Sequence, residues 1–431
     1  MKKYWMLILI LAAFLGLAPF AQSSGFLIYE HGAAAMGMAG AFVSIANNAT
    51  AVFHNPAGMA WLQGTQVSLG GTFIKPVGSL GLPNWPDPTY KNVKQLDQTF
   101  LAPNFYLTHK FSDKLAAGIG VFAPYGLGTK WPKGYPLRYL GTSNDMQTIF
   151  VNPAISYKVN ENLAFGAGLS YIHSSLSLNI VRFVTDFAAY GWAGDVPASV
   201  EGATGDALAF NAGALYKAEA FSFGLTYRSS FNIKYKGDIA LDTAGVPAPF
   251  RPYVPTTGAV ESTFKFPDIF TAGASYNLTE ALLLAVDVQY YTWERYDKYV
   301  IDIIYPPGFP AAEPETVLEN WKNTFIARLG LQYQLNESLA LRAGIMRDWT
   351  PQPTESVDPN LPDANRYALT LGFGYKIGRL LIDFGYQYEK FSDRESPNRN
   401  IDAYQFYGIN LGAGTYKTTG HLFGISLSYL F

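Results

Sequence analysis

The 431-residue sequence contains no cysteine and little charge: charged residues make up 15% of it and the net charge is −2. The lack of cysteine excludes disulfides and fits an exported protein without deciding its class. A net charge near zero offers no basic surface for nucleic acids. After Phe20 no run approaches the roughly 18 uninterrupted apolar residues of a transmembrane helix, which excludes such helices from the rest of the chain.

What is present begins with an export signal. The basic start Met1–Lys3 precedes the apolar run Tyr4–Phe20, and small residues follow at 21–24. This order predicts a secretory signal peptide over residues 1–23. A permanent membrane anchor is the alternative, and it is disfavoured because the apolar stretch is short for a span.

The strongest pattern further on is a two-residue alternation. In the segments 325–335, 380–389 and 423–431, Leu, Ile, Phe, Tyr and Ala occupy one face, while mainly glycine and polar residues occupy the other. An apolar outer face and a polar inner face over about ten residues are typical of transmembrane β-barrels. A soluble β-sandwich would instead need charge on the outward face.

Fourteen such segments follow one another, which predicts an all-β fold: a 14-stranded antiparallel transmembrane β-barrel. They cover residues 65–76, 98–110, 113–125, 146–159, 162–180, 206–218, 220–235, 260–277, 280–295, 321–335, 337–349, 364–377, 379–392 and 419–431. Six tight turns alternate with seven long loops, near 77–97, 126–145, 181–205, 236–259, 296–320, 350–363 and 393–418. Short periplasmic turns and long external loops are the rule for these barrels.

Tyrosines recur at about the same distance before the tight turns, at Tyr157, Tyr216, Tyr276, Tyr333 and Tyr375. Amphipathic rings at one level predict an aromatic girdle at the membrane interface. The barrel must close, because an open edge would leave unpaired backbone groups in hydrocarbon.

Residues 24–64 do not alternate. Small residues dominate 32–40, and Asn55-Pro56-Ala57-Gly58 reads as a short turn or helical piece. Composition leaves two arrangements open: a loose periplasmic leader, or a plug folded back into the lumen. A plug would change the function, because a fourteen-stranded barrel is wide enough for a pore.

Several short motifs resemble the outer-membrane transporters of long-chain fatty acids and aromatic hydrocarbons, the FadL/TodX type. They are Ser24-Gly25-Phe26 with Glu30 behind it, Asn55-Pro56-Ala57, Pro103-Asn104-Phe105, Tyr125-Gly126-Leu127, Leu225–Ser229, Pro267–Phe270, Tyr291-Thr292-Trp293, Leu341–Ile345 and Leu361-Pro362-Asp363. The resemblance implies a fourteen-stranded barrel over 65–431 with an N-terminal hatch, residues 24–64, in the lumen. It therefore favours the plug.

A hydrophobic cargo needs a dry route, because each CH₂ kept in water rather than oil costs ~0.8 kcal/mol. The route we expect has an external landing site, a dry pocket and a sideways exit. For the landing site the third and fourth long loops carry Phe187, Tyr190, Trp192, Phe250 and Tyr253. These rings could also serve loop–loop packing; the resemblance favours a hydrophobic groove.

For the pocket, an anionic head group requires a cation beside apolar walls. Arg182 and Lys322 are predicted to lie at the same, outer end of the barrel, and by resemblance they match the family's basic pair near the ligand carboxylate. Ordinary rim charges facing lipopolysaccharide are the alternative. Arg228 and Arg328 are predicted to face the lumen and to pair with acids there.

For the exit, Pro103, Pro124 and Pro153 fall in three successive strands. Each removes a donor from the ladder, and the glycine of Tyr125-Gly126 tolerates a bend, which predicts a lateral opening around 124–126. A bulge at the outer end of the strand is the alternative. By resemblance, Asn55-Pro56-Ala57 packs near this kink and Gly25-Phe26 reaches towards the pocket.

No catalytic, cofactor or metal site is predicted. His173 and Ser175 share the lipid face of one strand, as in a membrane phospholipase, but no third member is evident. A general diffusion porin would show more lumen charge and an acidic constriction loop. The sequence therefore predicts a monomeric, passive, ligand-gated channel of the Gram-negative outer membrane, in contact with lipid and lipopolysaccharide, for fatty acids first and aromatic hydrocarbons second.

Overall fold

In the computed structural model, which describes residues 25–399 and 401–431, fourteen antiparallel strands close into a barrel. Closure is made between the last strand and the first, in register from Gln66 opposite Leu430 to Gly81 opposite Thr415. The strands are β1 Thr65–Gly81, β2 Phe100–Lys110, β3 Leu115–Phe122 and Gly126–Lys130, β4 Ser143–Lys158, β5 Leu163–Val184, β6 Gly194–Lys217, β7 Phe221–Arg228 and Phe231–Leu241, β8 Thr257–Phe266 and Ile269–Asn277, β9 Leu282–Tyr291 and Lys298–Ile304, β10 Glu315–Leu318 and Thr324–Gln334, β11 Leu339–Asp348, β12 Arg366–Ile377, β13 Leu380–Phe391 and β14 Gly414–Leu430.

In the described residues, helical structure is confined to short pieces. They are the α-helices Ala33–Met36, Ala51–His54 and Asp402–Phe406, and the 3₁₀ turns Pro56–Trp61, Pro88–Tyr90, Ala188–Tyr190, Arg251–Tyr253, Trp293–Arg295 and Thr354–Ser356. Two further short strands, Asn92–Lys94 and Arg394–Ser396, extend the wall outside the main strands. No helix in the described part of the chain has the length and hydropathy needed to cross a membrane.

Each of the fourteen predicted segments coincides with one strand, so the predicted fold is confirmed. The predicted outer bounds were wrong in several places. Strands β5 and β6 remain paired up to Val184 opposite Gly194, and β7 continues to Leu241, where loops were expected at 181–205 and 236–259. Beyond the bilayer a ladder is held by backbone hydrogen bonds and requires no apolar outer face, so the alternation fades before the strand ends.

The alternation itself has the predicted sense. In β12, Leu369 and Leu371 point outward and are 62% and 63% exposed, whereas Thr370 between them is buried. Of the predicted girdle, Tyr157 and Tyr333 are likewise exposed on the outer face close to the tight turns. The outer surface is therefore apolar where lipid is expected.

Residues 25–64, called the inner segment below, lie in the lumen. The amide of Ala33 donates to Ser426 Oγ of β14 at 3.0 Å, and the amides of Phe42 and Val43 donate to Asp287 Oδ2 of β9 at 2.8 and 3.0 Å. Because β14 and β9 are distant strands of the closed wall, a segment bonded to both crosses the interior. This position in the lumen is consistent with the plug, one of the two arrangements that composition left open.

Inward glycines make room for the inner segment. A methyl group added to Gly213 of β6 would overlap the side-chain oxygen of Asn55, and one added to Gly166 of β5 would overlap the backbone of Pro56. Asn55 Nδ2 donates to the carbonyls of Val43, at 3.0 Å, and Ala214, at 3.1 Å. The glycine half of the alternation thus serves close packing between the wall and the inner segment.

Candidate functional site

The wall of the barrel is interrupted in β3. The pairing of β3 with β2 ends at Asn104 opposite Phe122, and the outer piece of β3, Gly126–Lys130, is in register with β4 alone. The chain bends between the two pieces at residues 123–125, called the kink below. On the facing strand, residues 100–103 pair with β1 but have no partner in β3. A gap therefore separates the outer halves of β2 and β3.

Backbone bonds from the inner segment hold the kink in place. The amide of Ile28 donates to the carbonyl of Pro124 at 2.8 Å, the amide of Gly126 donates to the carbonyl of Phe26 at 3.1 Å, and Leu27 forms a β-bridge with Tyr125. On the other side Thr148 Oγ1 donates to the carbonyl of Tyr125 at 2.8 Å. The inner segment thus replaces β2 as the partner of β3 at this point.

A cavity of about 740 Å³ lies along the gap. The inner segment lines it with Phe26–Ile28, β2 with Phe100–Pro103, and β3 with residues 125–129. The ring of Phe100 crosses the gap, since a methyl group added to Gly128 would overlap it. Above the ring, the amide of Leu96 donates to the carbonyl of Lys130 at 2.8 Å, which closes the upper edge of the gap.

The side chain of Phe26 lies at the centre of an aromatic cage. Its ring is 4.9 Å from that of Trp293 and 5.7 Å from that of Trp321, centroid to centroid. The cage consists of Tyr125, Phe266, Trp293, Tyr296 and Trp321. Phe26 itself is 5% exposed, and Gly25 before it has φ +68° and lies so close to Trp321 that a methyl group would overlap the indole. The cage is dry and accepts a planar ring.

Neither Arg182 nor Lys322 lines the cavity along the gap or a smaller lumen cavity beside Arg228 and Arg328. The guanidinium of Arg182 is ion-paired with Glu315, 2.7 Å away, and both side chains are partly exposed. Lys322 is exposed, although its neighbour Trp321 belongs to the cage. That Arg182 and Lys322 together bind a carboxylate therefore stays a prediction.

The external aromatic residues are brought together only in part. Phe187, Trp192 and Phe250 stack, with Phe187 and Phe250 centroids 5.0 Å apart and Trp192 and Phe250 5.8 Å apart. Tyr253 is at the margin, 6.3 Å from Phe187 and 67% exposed, and Tyr190 is 78% exposed. Loop–loop packing and an exposed aromatic surface therefore coexist.

The prediction for Arg228 and Arg328 was right about their direction and wrong about their partners. Both are buried in the lumen, yet in the described part of the chain neither makes an ion pair, unlike Arg342, which pairs with Asp383 at 2.6 Å. A second, smaller cavity of about 50 Å³ lies beside the two arginines, and Pro56 and Pro124 also line it. Alternation indicated the direction of these side chains, whereas their partners depend on how the inner segment packs, since Asp287 opposite Arg328 accepts the amides of Phe42 and Val43.

The serine and histidine of the phospholipase alternative are not joined in a catalytic arrangement. His173 Nδ1 hydrogen-bonds to Asp206 Oδ1 at 2.9 Å, which supplies the missing third residue type, but no hydrogen bond joins Ser175 to His173. Among the described residues no group of three or more His, Asp or Glu is placed to hold a metal ion.

The model of the family described as Outer membrane protein transport protein (OMPP1/FadL/TodX) matches residues 14–431. The long-chain fatty acid transport protein of Escherichia coli K12 is 24% identical over 453 residues, covering 95% of each chain. A Pseudomonas aeruginosa FadL homologue superposes with a TM-score of 0.81 at 20% identity, covering 95% of this chain and 100% of its own. The Pseudomonas putida toluene transporter TodX superposes with a TM-score of 0.74 at 17% identity, with the same coverage. These two structures share the fold of the chain.

Proposed function

The chain belongs to the OMPP1/FadL/TodX family of outer membrane transport proteins, and we propose that it carries long-chain fatty acids through an opening in the side of its barrel. It is accordingly a transporter of the outer membrane and not an enzyme. The name of the Escherichia coli relative supports fatty acids as the cargo, and the name of the Pseudomonas putida neighbour supports a hydrophobic cargo more generally.

The aromatic cage is the observation that carries the proposal. Phe26 occupies a dry space that an alkyl chain or an aromatic ring would fill equally well. Each CH₂ moved from water into such a site contributes ~0.8 kcal/mol, so a chain of several methylenes competes effectively with one phenyl ring. The cage is thus a ligand site occupied by the protein's own N-terminal segment.

Displacement of Phe26 provides the gate. A ligand that enters the cage removes the acceptor of the Gly126 amide and loosens the Leu27–Tyr125 bridge. The inner segment then withdraws from the kink, and the cavity along the gap between β2 and β3 becomes continuous with the cage. Cargo leaves sideways into the bilayer by passive diffusion, because the lipid is a better solvent for it than water.

Entry begins at the external loops. The stack of Phe187, Trp192 and Phe250 offers a hydrophobic landing surface, with Tyr190 and Tyr253 exposed beside it. Arg182 and Lys322 would hold the carboxylate, and the cargo would compete with Glu315 for Arg182. The head group is therefore bound transiently.

Monoaromatic hydrocarbons are the second candidate cargo, and one observation favours them. The occupant of the cage is itself a phenyl ring, held edge-on by Trp293 at an interplanar angle of 65°. Edge-to-face contacts of this kind add to simple burial. A substituted benzene would reproduce the position of the Phe26 ring.

The transporter works as a monomer in this proposal. Its wall closes between β14 and β1, its apolar outer face contacts lipid, and the loops beyond that face contact lipopolysaccharide. A neutral or fatty-acid cargo requires no partner protein in the wall.

Ligand binding and liposome transport test the proposal together. Phe26→Ala should bind a fluorescent long-chain fatty acid several-fold more tightly than the unmodified protein, because the internal competitor is gone. Phe270→Ala, which truncates an exposed phenylalanine of the outer face, is the matched control and should leave binding unchanged. Unchanged binding in Phe26→Ala, passage of small sugars or release of lysolipid by the unmodified protein would each contradict the proposal.

A further inference from the structure

Two lumen arginines are buried and, among the described residues, form no ion pair. Arg228 of β7 is 8% exposed and Arg328 of β10 is 2% exposed. Elsewhere in the lumen, Arg342 pairs with Asp383 at 2.6 Å and Arg366 with Asp348 at 2.8 Å. A buried cation without a counter-charge is costly, so its retention calls for a reason.

The neighbours of the two guanidinium groups are mainly aromatic. Arg228 lies 5.2 Å from the ring centre of Phe53 and 5.5 Å from that of Phe122, and Arg328 lies 4.5 Å from that of Tyr29. Arg228 Nη2 donates to the carbonyl of Phe53 at 3.3 Å. In the described chain Arg228 Nη1, Arg328 Nε and Arg328 Nη2 are buried and make no hydrogen bond. Three strong donors thus lack a well-aligned acceptor, and the hydroxyl of Tyr291 lies beside Arg328.

One acid lies nearby and does not balance the charge. Asp287 is directly opposite Arg328 in the register of β9 and β10, but its Oδ2 accepts the amides of Phe42 and Val43. Two guanidinium groups therefore face one carboxylate that is already bonded to the inner segment. The region retains an excess of one positive charge.

The two arginines line the smaller cavity, whose volume is about 50 Å³. Arg228, Arg328, Asp287 and Asn211 line it, and both amide atoms of the Asn211 side chain also lack a hydrogen bond in the described structure. Since about 10–15 Å³ of such space admits one water molecule, the cavity has room for a few waters or for one carboxylate group. A carboxylate would accept from both arginines and balance the charge.

The position of the cavity connects it with the transport route. Leu27 and Tyr125 line both this cavity and the larger one along the gap, so the two cavities adjoin at the Leu27–Tyr125 bridge. An acid whose tail lies in the larger cavity can place its head group in the smaller one once that bridge opens.

We propose that Arg228 and Arg328 form a buried carboxylate-binding site that receives the head group of the transported acid inside the barrel. The proposal rests on the proposed function and names the step between the cage and the opening in the wall. The same two guanidinium groups would also bind a free small carboxylate. The experiment separates the two sources of the carboxylate, a fatty-acid head group and a free small acid.

The test uses decanoate carrying ¹³C in its carboxyl group and the full-length protein in lipid nanodiscs. Carbon-13 NMR over a pH series should show a population of decanoate whose carboxyl group titrates well below that of decanoate in protein-free nanodiscs, because two guanidinium groups stabilise the charged form. Arg228→Met and Arg328→Met should each reduce this population at least five-fold. Arg379→Met, which changes an exposed cation at the tight turn between β12 and β13, should leave it within two-fold.

A neutral probe, decanol, and a short acid, acetate, define which chemical groups the site binds. Decanol binding should be unchanged in both Met variants. Acetate that displaces the decanoate population would show that the site accepts free carboxylates, and failure of acetate to displace it would assign the site to head groups with a tail; either result supports the site. A decanoate population that is equal in the unmodified protein and both Met variants would overturn the site while leaving the proposed function intact. Failure of the unmodified protein to bind decanoate or decanol would instead overturn the proposed function.

Stability measurements distinguish a carboxylate-binding role of Arg228 and Arg328 from a purely structural role. Arg228→Met should leave the melting temperature of the barrel unchanged or raise it, whereas Arg342→Met should lower it by leaving Asp383 unpaired. Arg228→Lys and Arg328→Lys keep the positive charge but lose the bidentate hydrogen-bonding geometry of the guanidinium group. If the Met variants do not fold, the Lys variants should still weaken decanoate binding several-fold and spare decanol, and Lys variants with full decanoate binding would overturn the site.

Discussion

At the scale of single residues, the docking of the inner segment depends on one buried acid. Glu30 is 4% exposed, and Gln387 Nε2 donates to its Oε1 at 2.7 Å. Burial, with the charge of Glu389 second, raises the pKa of Glu30 to about 7, and the cation of Arg366 only partly opposes this. The docked segment therefore holds a proton that the free segment, with an ordinary carboxyl, has released at neutral pH.

The sign of the pH dependence follows from that difference. Docking is strongest below the ordinary carboxyl pKa of 4.5 and weakens as the pH rises through about 7, where the docked carboxyl must lose its proton. A spin label on Ile28→Cys, the only cysteine in this chain, should become more mobile over this range. Glu30→Gln should keep the label immobile throughout. A label with the same mobility at pH 5 and pH 8 in the protein with Glu30 would contradict this account.

A separate prediction at the residue scale concerns the two external cations, Arg182 and Lys322. Arg182→Ala and Lys322→Ala should weaken the binding of a fatty acid by a few-fold and leave the binding of toluene unchanged, as measured by ligand titration. The effect is modest because both side chains are partly or fully exposed and exposed ion pairs contribute little, about 0–1 kcal/mol. Equal losses for both ligands would reject the assignment of these residues to the head group.

At the scale of elements, β3 is the strand whose irregularity matters most. Pro124 lies in the kink, and Gly126 begins the outer piece of β3. Pro124→Val with Gly126→Val should restore an extended strand that pairs with residues 100–103 of β2, and uptake of fatty acid into liposomes should fall at least ten-fold. The barrel should still fold, as judged by its altered migration in unheated gels. Unchanged uptake would exclude the lateral route.

The ring that crosses the gap between β2 and β3 provides a finer test of the same element. Phe100→Ala should remove the obstruction beside Gly128 and accelerate the release of bound fatty acid into the bilayer several-fold, measured by stopped-flow fluorescence. Phe73→Ala, a truncation of a lipid-facing ring on β1, is the matched control. A release rate that is the same for both variants would mean that cargo does not pass Phe100.

At the scale of the whole molecule, the inner segment converts a wide barrel into an obstructed one. Deletion of residues 25–64, with residues 1–24 kept, should leave a barrel that admits small sugars in liposome swelling, while the full-length protein should exclude them. Fourteen strands enclose a lumen wide enough for water once the segment is absent. Sugar exclusion by the folded deletion variant would show that side chains of the wall, and not the inner segment, obstruct the lumen.

Much of the fold could be predicted because the bilayer imposes a local rule. Every strand must present apolar residues to lipid at alternate positions, as Leu369 and Leu371 do, and every turn must be short on one side. The number and order of the strands follow from these two signals alone. The prediction fails first at the outer ends of β5, β6 and β7, where the lipid and its rule no longer act.

The sequence by itself therefore determined the barrel, its fourteen strands and the direction of inward side chains such as Arg228. Only the tertiary structure decided which inward groups meet: that Phe26 fills the aromatic cage, that Leu27 bridges Tyr125 and that Asp287 accepts amides of the inner segment. The reason is physical. Alternation is set by each residue's own strand, whereas contacts across the lumen join residues up to several hundred positions apart and depend on the register of the closed wall.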